Sequence, residues 1–169
     1  MPVKMEPFDH QVRAFAFAAD QFGIFDGKIK SRGVAFLMEM GCGKTGAAIA
    51  VSASLFQFGK IDRVLVVAPL SILGVWQEEY ETFCDVPYSL TVLVGSTAKK
   101  KEQLKKLKED GMTVVVVNYE SAWRMEKELA AFAPDLIVCD EAHKLKEGRT
   151  RQSKAMHSLG DHAKYKLLL

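Results

Sequence analysis

The sequence predicts an α/β domain: a central, mainly parallel sheet with helices on both faces. Three observations carry this. Six short apolar runs recur along the chain, separated by segments of helical periodicity. The runs are apolar throughout rather than alternating apolar and polar, the pattern of strands buried on both faces. A glycine-rich turn, Gly41-Cys42-Gly43-Lys44-Thr45, stands between one such run and an alanine-rich segment, which is the strand–loop–helix order of a phosphate-binding loop. The 169 residues suffice for one domain with a full core and hardly for two.

Residues 1–7 form an extended lead. Phe8, Val12, Phe15, Ala16, Ala19 and Phe22 recur at helical spacing, so an amphipathic helix is expected over 8–22. Gly23 and Gly27 end it, and 26–32 is a polar loop. The first strand, 33–38, runs into the phosphate loop, and an alanine-rich helix follows over 45–58. The second strand, 63–68, is stopped by Pro69, and Trp76 and Tyr80 mark a helix over 73–83. A third strand is expected at 89–94, then a lysine-rich helix over 98–109 with Leu104 and Leu107 facing inward. The valine-dense run 112–117 is the fourth strand and 119–132 is helical. The fifth strand is 136–139 and the sixth 165–169, with no element assigned to 144–164. A domain rarely stops on a run such as Leu167-Leu168-Leu169, so the chain is expected to be a segment of a longer protein.

Composition, 49% hydrophobic and 26% charged, is that of a soluble globular protein. No run reaches the roughly 18 apolar residues of a bilayer span, and the N-terminus lacks a secretion signal. A net charge of +2 is too small to indicate a nucleic-acid partner. Local excess is larger: six lysines against one glutamate in 99–108, and five basic side chains against one acid in 144–154. Each run is either a solvated face or a nucleic-acid face. Cys42, Cys84 and Cys139 are odd in number and lack metal-ligand spacing, which fits a reducing, interior compartment. Cys139 is expected as a small buried hydrophobe, Cys42 as a thiol inside the loop. His10, His143, His157 and His162 share no ligand spacing, so no zinc site is expected.

Glycines let the backbone curl around phosphates, Lys44 would reach the β- and γ-phosphates, and the Thr45 hydroxyl would ligate magnesium. The general motif has a further glycine where this chain has Met38. The reduced form still offers an anion nest, from the amides of 41–45 and the start of the following helix at Gly46. The acidic pair Asp140-Glu141 follows the fifth strand. Asp140 fits a carboxylate facing the magnesium, and Glu141 a base that orients the attacking water. ATP and Mg2+ are therefore the expected ligands.

Together these motifs resemble the first RecA-like domain of a superfamily 2 helicase-like ATPase, most closely the SNF2 (Swi2/Snf2) group of DNA translocases. The likeness rests on Glu39-Met40-Gly41 with Gly43-Lys44-Thr45, on Ala68-Pro69-Leu70-Ser71 followed by Trp76 and Glu79, on Asn118-Tyr119-Glu120, and on Asp140-Glu141-Ala142-His143 with Lys144-Leu145-Lys146. It implies a RecA-like P-loop NTPase domain over 1–169, lacking the second RecA-like domain that would supply arginines to the γ-phosphate. It implies nucleotide contacts from Gly41, Cys42, Gly43, Lys44, Thr45 and Gly46 and catalytic roles for Lys44, Asp140 and Glu141. Gln11, in Pro7-Phe8-Asp9-His10-Gln11, would read adenine; an amide can pair with both N6 and N7. It further implies DNA, mainly double-stranded, as partner, with contacts at Ser71, Asn118, Lys144 and Lys146. An RNA or single-strand helicase, and a nucleotide-dependent binding module without turnover, remain open alternatives.

Overall fold

The computed structural model describes residues 1–39, 41–145 and 147–169, so Met40 and Lys146 lie outside the described residues, as does the side chain of Lys144. Six strands form one sheet: β1 (Gly33–Ala35), β2 (Arg63–Ala68), β3 (Tyr88–Val92), β4 (Met112–Asn118), β5 (Leu136–Cys139) and β6 (Tyr165–Leu168). Their order is β1-β6-β5-β2-β4-β3, and every pairing is parallel. Among the described residues, seven helices accompany them: α1 (Asp9–Phe22), α2 (Lys44–Gln57), α3 (Leu73–Phe83), α4 (Thr97–Lys105), α5 (Tyr119–Arg124), α6 (Glu126–Phe132) and α7 (Arg151–His162), with short 3-10 turns at Leu70–Ile72 and Ala142–Leu145. None is long and apolar enough to cross a membrane.

Strand geometry accounts for runs that are apolar without alternation. Successive side chains point to opposite faces, and here each face has its own core. Val64, Val66, Val114, Val116, Leu136 and Val138 pack with α1, α2 and α3. Leu65, Val67, Val115, Val117, Ile137 and Cys139 pack with α5, α6 and α7. Leu104 and Leu107 pack against this second core, as their spacing suggests. Cys139 is buried, and burial pushes its thiol up to about 12; it is an inert core residue.

Element boundaries differ from the sequence expectation in five places, the first being the lysine-rich helix, which is expected over 98–109 and ends at Lys105, with Lys106 as its C-cap. β1 ends at Ala35, which pairs with Leu168; the Phe36 N–H still takes the Leu168 carbonyl, and Leu37 is 97% exposed. β3 is shifted to Tyr88–Val92. The helical region 119–132 breaks at Met125, whose φ of −114° lies outside the helical range. The helix α7, in a segment where the sequence shows no element, is capped by the Thr150 hydroxyl accepting the Ser153 N–H. Its buried face is Ser153, Ala155, Met156, Leu159 and Gly160, a short stripe at helical spacing set among polar and charged residues.

Leu65 is fully buried whereas Leu70 is 70% exposed. Leu65→Ala should therefore cost about 2–5 kcal/mol of unfolding free energy, and Leu70→Ala no more than about 0.5 kcal/mol. Urea unfolding monitored by circular dichroism reads both.

Candidate functional site

Because all strands run parallel, their C-terminal ends share one edge of the sheet. The phosphate loop follows β1, the Leu70–Ile72 turn follows β2, Asn118 closes β4 and Asp140 follows β5. Ligand-binding groups of open α/β sheets gather at this edge.

Gly41 and Gly43 both adopt left-handed backbone, with φ of 81° and 68°. Gly43 caps α2, so the first helical turn leaves free amides there, the kind of helix start that can hold an anion. A Cβ at Gly43 would lie 2.2 Å from Gln11 Nε2 and would displace that amide, while the left-handed φ of 68° is what favours glycine there. Two neighbouring side chains of α1 hold the loop from that side. Gln11 Nε2 donates to the Gly43 carbonyl at 3.0 Å, and His10 Nε2 lies 2.8 Å from the Cys42 carbonyl. A carbonyl only accepts, so that histidine nitrogen carries the proton. Gln11 Oε1 meanwhile accepts the Phe8 N–H at 2.9 Å. Gln11 is 5% exposed, and each end of its amide retains one further hydrogen-bonding position. Thr45 and Lys44 are half-buried, with Lys44 Nζ 3.4 Å from the Met38 carbonyl, a long contact. Gly46 is buried in the first turn of α2.

Asp140 is 7% exposed. Its Oδ2 accepts the Trp76 indole N–H at 3.0 Å and its Oδ1 accepts the Glu141 N–H at 2.9 Å, leaving a lone pair on each oxygen for a cation or its waters. Burial raises the Asp140 pKa; the Trp76 and Glu141 bonds and the charge of Lys44 oppose this without cancelling it, and the charge of Glu141 adds to it. The Tyr119 hydroxyl donates to the Asp140 carbonyl at 2.6 Å, and burial pushes that phenol well above its ordinary range. Glu141 adopts a φ of 52°, rare for a side chain larger than asparagine and a form of strain that clusters at functional sites. Its Oε2 lies 3.1 Å from His143 Nδ1.

Ser71 is exposed on its turn. Asn118 uses its side-chain oxygen to cap α5 through the Ser121 N–H at 3.2 Å, which leaves its amide N–H2 as the group available to a partner. Of the two basic runs, 99–108 is partly engaged within the domain: Lys100 bonds Ser121, Lys101 pairs with Glu128 and Lys106 with Glu102. In the second run, Arg151 lies over the Trp123 ring at 5.3 Å, beside Arg124 at 5.2 Å, so Trp123 packs α5 to α7. A cavity of about 960 Å³ lies between the N-terminal segment and α1 and includes none of the phosphate-loop or carboxylate residues.

Three contacts escape sequence reasoning: Trp76 to Asp140, Tyr119 to Asp140, and His10 to the loop. Helical spacing marks Trp76 as buried but says nothing of where its N–H points.

This fold and this edge define a RecA-like phosphate-loop domain. The chain belongs to the SNF2-related domain family, which matches residues 14–169; the segment bearing Gln11 precedes the match. It is 31% identical over 132 residues to the ISWI chromatin-remodeling complex ATPase CHR17 of Arabidopsis thaliana, covering 78% of this chain and 12% of that protein. It is 31% identical over 122 residues to the putative ATP-dependent helicase/translocase YwqA of Bacillus subtilis, covering 72% and 13%. Among solved structures, the Sulfolobus solfataricus SWI2/SNF2 ATPase core in complex with dsDNA superposes with a TM-score of 0.81 at 25% identity, covering 99% of this chain and 32% of that one. The chain thus spans about an eighth of the length of these curated relatives.

The raised pKa of Asp140 gives a pH dependence. Its contribution to stability is present below the ordinary carboxylate value of 3.8 and is lost as pH rises through the higher native value. In the metal-free chain, Asp140→Asn should therefore gain stability relative to the parent chain as pH rises from 3.8 toward neutrality, read by urea unfolding across that range.

Proposed function

We propose that this chain is the ATP-binding half of an SNF2-type DNA-dependent ATPase that couples hydrolysis to movement along double-stranded DNA. The observation that carries the reading is the convergence, on one sheet edge, of the Gly41–Thr45 loop with Asp140 and Glu141, beside the exposed turn of Ser71. Family membership and the likeness to a core solved with duplex DNA support it.

In this reading Gly41, Cys42, Gly43 and Gly46 offer backbone to the phosphates, and Lys44 leaves its weak contact with the Met38 carbonyl to reach the β- and γ-phosphates. Gln11 reads adenine with the two hydrogen-bonding positions that its bonds to Phe8 and Gly43 leave over. Thr45 and Asp140 would hold Mg2+, and the residues fit it: a buried carboxylate with a spare lone pair on each oxygen is costly without a cation. The ion would offset the charge of the phosphate oxygens. Glu141 orients the attacking water, and the left-handed backbone at that position sets where its carboxylate points.

Ser71, the Asn118 amide, Lys144 and Lys146 are the proposed nucleic-acid contacts. Phosphate contacts of this kind depend little on sequence and steeply on salt. The arginines that complete the γ-phosphate site would come from a second RecA-like domain of the full-length protein. Such an arginine supplies roughly 10³–10⁵ in rate, so the 169-residue chain alone should turn over ATP very slowly.

Steady-state ATP hydrolysis by the full-length protein tests this, with duplex DNA, single-stranded DNA and RNA compared at fixed low salt. Stimulation by duplex DNA that Lys44→Ala abolishes is expected. Stimulation by RNA or single strands alone would move the protein to the helicases, and none would leave a nucleotide-switched binding module.

A further inference from the structure

We propose that Trp76 is a positioning residue for Asp140, fixing the carboxylate in the orientation in which it meets magnesium. The proposal rests on the assignment of Asp140 to the metal made above.

Four features of the structure carry it. The Trp76 indole is 1% exposed, and a buried indole N–H needs a partner. It takes the Asp140 carboxylate at 3.0 Å, although a carbonyl partner would serve packing equally well. The indole itself is held in place. It packs against Tyr80 at 6.3 Å between ring centres, and Tyr80 packs against Tyr88 at 5.3 Å. The two carboxylate oxygens are thus anchored on separate groups, Oδ2 by the indole and Oδ1 by the Glu141 amide. A carboxylate pinned at both oxygens cannot rotate about its terminal torsion, which is otherwise broad.

The route between the two residues is short and rigid. The Asp140 N–H bonds the Val67 carbonyl at 2.8 Å, so Asp140 sits beside the end of β2. That strand leads through Pro69 and the Ser71 turn into α3, which carries Trp76. The segment that presents Ser71 to a partner therefore also orients the metal carboxylate. Partners that orient a metal ligand from behind typically matter 10–100-fold for metal affinity.

The test is Mn2+ binding to the protein saturated with ADP, followed by electron paramagnetic resonance, with no turnover involved. Trp76 is replaced by the analogue carrying sulfur in place of the indole N–H, which keeps shape and packing, and separately by Trp76→Phe. Loss of about 10-fold in Mn2+ affinity, with ADP affinity in chelator unchanged, is the expected result for the analogue. Unchanged Mn2+ affinity in the analogue, with a loss in Asp140→Ala, would overturn the positioning role and leave the metal assignment standing. Unchanged Mn2+ affinity in Asp140→Ala would overturn the metal assignment, and the proposal with it. A loss in Trp76→Phe that the analogue does not share would assign the effect to packing and overturn the proposal.

Discussion

The site depends on one constraint: a parallel sheet buried on both faces. Each strand must be followed by a crossover that covers a face before the next strand begins. Every strand then delivers its C-terminal end to the same edge, and the loops after β1, β2, β4 and β5 arrive together there. The valine-dense strands make this possible, because alternate residues of β2, β4 and β5 fill two separate cores. Residues distant in sequence, such as Gly43 and Asp140, are brought to one edge by topology before any side chain of the site interacts.

At that edge the structure carries several local costs. A carboxylate is buried, a glutamate is held in left-handed backbone, and the loop turns through left-handed backbone at Gly41 and Gly43. Each is offset by specific contacts rather than by relaxation. Trp76 and the Glu141 amide satisfy Asp140, Tyr119 fixes its backbone, and His10 and Gln11 hold the loop carbonyls. Strain that is fixed in this way is a common property of sites prepared for a ligand. The basic character of the surface is less concentrated than the sequence implies, because part of the 99–108 run is tied into α5, α6 and its own helix.

Much of this is legible in the sequence. The six strands stand out because a short apolar run bounded by Gly or Pro is too brief for a buried helix and suits a strand covered on both faces. The loop and the acidic pair stand out because their chemistry demands those residue types. The limits are physical. β1 is shorter than its apolar run because pairing with β6 covers only Gly33–Ala35, a fact about pairing rather than about residues 36–38. The helix α7 does carry a stripe at helical spacing, Ala155, Met156 and Leu159, but it is short and set among polar and charged residues. Helical spacing marks Trp76 as a packing residue, and it does pack; that its N–H also reaches Asp140 depends on where α3 lies on β3 and β4, which no local pattern encodes.

The proposed division of labour at the edge, with the glycine loop and Lys44 binding nucleotide and Glu141 acting only in chemistry, is tested most directly by equilibrium ATP binding to the Glu141→Gln variant of the full-length protein, alongside its turnover. The account predicts ATP affinity equal to that of the unaltered protein with turnover lost. Loss of ATP binding, or turnover that survives the substitution, would contradict it.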